Sequence, residues 1–116
     1  MKLSDLDGQL YARGEGTSLR PVDSVPAAAA VMFLCPGCRA RLGTDVGCHS
    51  ILVWFADRDV PPGNEPLPRW KASGAGVADL TLSPSVLIHA DPVQHRQPAA
   101  CPGWHGFVRN GEIVNA

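Results

Sequence analysis

Two short strings constrain this chain more than anything else in it: Cys35-Pro36-Gly37-Cys38 and Cys101-Pro102-Gly103-Trp104-His105. A C-x-x-C turn holds two thiolates on one side of a tetrahedral metal, which then needs two further ligands. The second Pro-Gly turn offers a Cys and a His at its ends. Cys35, Cys38, Cys101 and His105 are therefore the first-choice zinc set, a structural Zn2+ clamping the middle of the chain. Cys48-His49 competes for the last position. Neighbouring strand residues point to opposite faces, so the two do not share one ion, but either can replace Cys101 or His105. A thioredoxin-like redox pair fits less well, because that motif opens a helix in a βαβ unit and Arg39 to Gly43 reads as poor helix. A disulfide framework wants an exported chain, and Met1 to Leu10 has polar breaks where a signal peptide carries its apolar core. Cys48 reads as a small buried residue, and His89 and His95 as exposed residues beside loops.

Around these strings the chain is short elements and turns. Its 116 residues include 12 Gly and 11 Pro, enough for one domain and too few for a second independent core. Val31 to Leu34 is a short apolar strand that stops at the first knuckle, and His49 to Phe55 is the strongest strand signal, rich in β-branched and aromatic residues. Residues 60–68 carry prolines at 61, 62, 66 and 68 and read as a long surface loop. Trp70 to Gly74, Leu80 to Leu82 and Val86 to His89 are strand-like, with Ser83-Pro84-Ser85 as a bulge or edge between the last two. Residues 91–100 form another loop. Asn110-Gly111 joins Gly106–Arg109 to Glu112–Val114 as a two-residue hairpin, since both turn positions want positive φ.

The expected fold is mostly β: a small zinc-stabilised antiparallel domain, sandwich- or barrel-like, of five or six strands. It has long Pro/Gly-rich loops and at most one or two short helices. Residues 31–116 form that domain. Residues 1–30 read as an N-terminal extension, with a weak extended segment at Gln9–Arg13 and a possible short helix after Asp23 or Ser24.

Ten basic against eleven acidic residues leave a net charge of -1 and no basic stripe, which argues against nucleic acid or an anionic membrane as partner. H-E-x-x-H, G-x-S-x-G and a deaminase His-x-Glu before the cysteine pair are all absent. A metal with four protein ligands has no open position for water. These points favour a non-catalytic protein, with a zinc-ribbon-like nucleic-acid module or a zinc hydrolase as alternatives. Asp57 and Asp59 around Arg58 read as a solvated loop.

The ordered series FLCPGC, HSILVWF, a lone Trp70, LTLSPSVLI and CPGWHGFVRNGEI resembles a group of short phage and prophage proteins of unknown function. The likeness runs from Val31 to Val114. Cys35 and Cys38 match its first knuckle, His49 and Ser50 its His-Ser pair, Ser83 to Ser85 its Ser-Pro-Ser element and His105 its terminal histidine. Cys101 stands one residue further from His105 than the family's C-x-x-H spacing, and the His-Ser match ranks His49 above Cys48 as the alternative ligand. The resemblance implies a zinc-binding accessory protein, a virion component or host-interaction factor with a protein partner, in the bacterial cytoplasm or the phage particle.

Overall fold

A computed structural model describes residues 1–58, 68–90 and 101–116. The fold is small and mostly β, with antiparallel sheets and, among the described residues, one α-helix. Among the described residues nine strands run in chain order: β1 (Gln9–Arg13), β2 (Leu19–Val22), β3 (Ala30–Leu34), β4 (Ser50–Trp54), β5 (Lys71–Ser73), β6 (Thr81–Ser83), β7 (Val86–Ile88), β8 (Trp104–Arg109) and β9 (Glu112–Asn115). They form a four-stranded sheet ordered β2-β1-β3-β4, a two-stranded β5-β6 ribbon and a three-stranded sheet ordered β7-β8-β9. The helix α1 (Pro36–Leu42) follows β3 directly.

Alternation along the strands builds the core. Leu10, Val31, Phe33, Val53 and Phe55 point inward from the four-stranded sheet and its continuation. They meet Leu80, Leu82, Val86 and Val108 from the other two sheets. On the opposite face, Ala30 and Trp54 pair across β3 and β4 and pack with Leu19 and Leu52. The strong strand expected over His49 to Phe55 is β4, and the short apolar strand before the knuckle is β3.

Three differences from the sequence reading have plain physical causes. Residues 1–30, read as an extension, supply β1 and β2 to the main sheet, and Leu3, Leu6 and Leu10 are fully buried. No helix forms after Asp23. Arg58 instead donates to the carbonyls of Val25 (2.8 Å) and Ala28 (2.6 Å) and closes that segment as a turn. So Arg58 is no solvated loop residue; Asp59 lies outside the described residues. The poor helix after Cys38 does form. Pro36 stands at a first-turn position where its missing N–H costs nothing, and Gly43 closes the helix in a left-handed conformation (φ 70°). The loops read over residues 60–67 and 91–100, with His95, fall outside the described residues.

The Asn110-Gly111 hairpin is present, with φ of 50° and 77° at its two central residues. It does not stand alone. Gly111 N–H donates to Leu80 O and Leu3 N–H donates to Gly111 O, both at 2.8 Å, so the turn is sewn to the residue just before β6 and to the N-terminal segment. A Cβ at residue 111 would collide with the carbonyl of Ala78. Gly111→Ala therefore meets both positive φ and a backbone atom, and we expect a loss of at least about 1–3 kcal/mol in denaturant unfolding.

Candidate active site and metal centre

Two groups of chemically active side chains stand out, one deep and one at the surface. The deep one begins where β3 ends and β4 begins. Leu34 pairs with Ser50, so the next residues out, Cys35 and His49, lie side by side, joined by Cys35 N–H to His49 O at 2.9 Å. The first turn of α1 carries Cys38 back beside Cys35. Cys101 reaches the same point from the segment before β8. Sγ of Cys35 and Cys101 are 3.8 Å apart, and His49 Nε2 is 3.3 Å from Cys101 Sγ. The ligand atoms of Cys35, Cys38, His49 and Cys101 all lie within 4.8 Å of one another.

Two glycines let the knuckles interlock. A side chain at residue 37 would collide with the carbonyl of Gly103. Gly103 itself has φ 79°, and its N–H points at Cys101 Sγ at 3.4 Å. Burial raises the Cys35 thiol above its ordinary range; the Cys38 backbone N–H opposes this and neighbouring Cys101 adds to it. Burial, with Cys101 and Cys35 alongside, pushes Cys38 up to about 12. Three crowded thiols and one imidazole are a donor set that can hold a metal ion. With Zn–S bonds of about 2.3 Å, tetrahedral geometry puts sulfurs roughly 3.8 Å apart, which matches the Cys35–Cys101 separation.

Of the residues the sequence singled out as ligands, the fold thus brings together Cys35, Cys38, Cys101 and His49. His105 is not in the cluster. Cys48 faces away, half-buried rather than buried, its thiol donating to Thr44 O at 3.2 Å. His89 is exposed.

His105 belongs to the second group. On β8 its partner across the ladder is Leu87 of β7, and Ser85 precedes β7 by one residue. His105 Nε2 lies 3.0 Å from Ser85 Oγ. Ser85 is half-buried and His105 exposed, so the pair meets solvent. The Ser85 carbonyl accepts a hydrogen bond from the Trp70 indole N–H at 3.0 Å. Among the described residues no carboxylate bonds to His105, and its side-chain contact is with Ser85. A hydroxyl within hydrogen-bond reach of an imidazole is the geometry of an activated nucleophile and its general base. Both residues carry the family resemblance, yet nothing local in the sequence announces the pair. The β7–β8 register makes it, across 20 residues of chain.

One mostly β fold thus carries a Ser–His contact at its surface and a separate Cys/His cluster that could hold a metal ion. The chain belongs to the BubE family, described as a bacterial ubiquitination-like system serine protease, whose family model matches residues 7–116. That match overturns the non-catalytic reading, because the family is one of enzymes. The chain lacks the G-x-S-x-G signature, and His105, expected among the metal ligands, lies beside Ser85 and outside the cysteine cluster. The phage origin implied by the resemblance gives way to a bacterial family. No curated protein and no solved structure matches the chain. Among the described residues no helix is long and apolar enough to cross a membrane.

Proposed function

We propose that this protein is a serine peptidase acting on a protein substrate of a bacterial ubiquitination-like system, with Ser85 as nucleophile and His105 as general base. The observation that carries the assignment is the 3.0 Å contact between His105 Nε2 and Ser85 Oγ on a solvent-facing surface; the family supplies the reaction class. Ser85 Oγ attacks the carbonyl carbon of the scissile amide while His105 Nε2 takes the hydroxyl proton. As the C–N bond breaks, His105 returns that proton to the leaving nitrogen, leaving an ester on Ser85. Water then attacks the ester, His105 accepts its proton and passes it to Ser85 Oγ, and the new carboxylate departs.

The cluster of Cys35, Cys38, His49 and Cys101 is read as a structural zinc site. Three thiolates and one imidazole would complete a tetrahedral shell and leave no position for a reacting water, so a metal held there would shape the protein and take no part in bond making. A cytoplasmic setting suits four free cysteines. A fluorophosphonate probe tests the assignment, because it phosphonylates activated serines. We expect one adduct per chain, mapped by peptide mass spectrometry to Ser85 and lost in His105→Ala. Modification at another serine, or none, overturns the assignment.

A further inference from the structure

Trp70 stands alone in the chain's Pro-rich middle and makes no bond in the reaction above, yet it touches the nucleophile's own peptide group. The ladder explains why that contact matters. Ala116 N–H donates to His105 O at 3.0 Å, so His105 turns its backbone groups toward β9. Antiparallel pairing alternates, so Trp104 and Gly106 face β7, where they meet Ile88 and Val86. Ser85 and Leu87 then turn their carbonyls away from β8. The sheet that carries the base therefore does not hold the carbonyl of Ser85. The Trp70 indole does, at 3.0 Å.

Trp70 is itself fixed from both sides. Its backbone N–H donates to Trp54 O at 2.9 Å, and its backbone carbonyl accepts from Ala56 N–H at 2.7 Å, a bridge to the end of β4. The base is tied to the other end of the same strand. His105 follows Cys101 by four residues, and Cys101 clusters with His49, which immediately precedes β4. Nucleophile and base thus reach one another from opposite ends of one strand.

Building on the Ser85–His105 reading, we infer that Trp70 is the positioning residue of the nucleophile: its indole N–H fixes the Ser85 carbonyl so that Oγ faces His105. Removing that one donor leaves the hydroxyl and imidazole in place but lets the Ser85 peptide rotate.

The test is the kinetics of fluorophosphonate labelling in the full chain, resolved into the maximal rate of inactivation and the half-saturating probe concentration. Trp70→Phe should lower the maximal rate by about 10- to 100-fold, since small misplacements of reacting groups cost up to about 100-fold. The half-saturating concentration should stay within about twofold, and metal content should stay unchanged. If Trp70→Phe disturbs the fold, site-specific replacement of Trp70 by 3-benzothienylalanine settles the matter. That ring keeps the shape and lacks only the N–H, and it should give the same loss, whereas site-specific 5-fluorotryptophan, which keeps the N–H, should restore the rate. Wild-type labelling at Ser85 with an unchanged maximal rate in the benzothienyl protein would overturn the role of Trp70 alone. Absence of labelling at Ser85 in the wild type removes the dyad itself, and the role of Trp70 with it.

Discussion

Ser85→Ala is expected to abolish peptidase activity, lowering kcat by at least about 10^4-fold while leaving the fold and metal content intact. The hydroxyl is half-buried at a strand start and, among the described residues, its side-chain partner is the exposed His105, so its removal leaves no buried polar group stranded there. Loss of a serine nucleophile alone costs about as much as loss of all its catalytic partners, because they act as a unit. His105→Ala should therefore fall to a similar level, and the double variant Ser85→Ala/His105→Ala should be hardly worse than either. The measurement is turnover of a protein substrate from the ubiquitination-like system, followed by mass spectrometry, with circular dichroism and metal content as controls. Independent, additive losses would show that the two residues do not work as a pair.

Stripping the metal should be as damaging, by a different route. Structural zinc in small domains contributes about 10–16 kcal/mol of apparent binding energy, more than most domains have in net stability. Here it would join α1, the junction of β3 and β4, and the segment before β8. A strong chelator under reducing conditions should therefore loosen the tertiary structure, seen as loss of near-ultraviolet signal from the three tryptophans, and abolish labelling of Ser85 although no ligand touches it.

Binding should also depend steeply on pH, and the sign follows from the thiols. In the metal-free protein burial holds Cys35 and Cys38 above their ordinary range, Cys38 at about 12, so both carry protons at neutral pH. Metal binding must expel them. Affinity should then fall as pH falls, by about 100-fold per unit from these two thiols alone. A flat affinity between pH 6 and 8, or activity that survives complete metal removal, would contradict the structural-zinc reading.

Much of the architecture was legible in the chain. The alternation of Val31, Phe33, Val53 and Phe55 identifies two buried strands before any contact is known, because a strand's period of two sorts side chains by face. Asn110-Gly111 marks a hairpin because few other pairs accept positive φ twice. The two Pro-Gly knuckles identified three of the four clustered donors, since C-x-x-C spacing is itself a local geometry.

What the tertiary structure alone decided was the partner of each histidine. His49 and His105 each lie near a Pro-Gly knuckle or a strong strand, and the local pattern cannot tell a ligand from a base. The β3–β4 register brings His49 beside Cys35, and the β7–β8 register turns His105 toward Ser85. A shift of either pairing by one residue would exchange the faces. The buried N-terminal strands were hidden for the same reason. Leu3, Leu6 and Leu10 are too few and too widely spaced to signal a core by themselves, and they become one only when other sheets cover them. Local spacing determined which turns and strands this chain forms; long-range strand register, a property of packing, determined that one histidine joins the cysteine cluster and the other lies beside a serine.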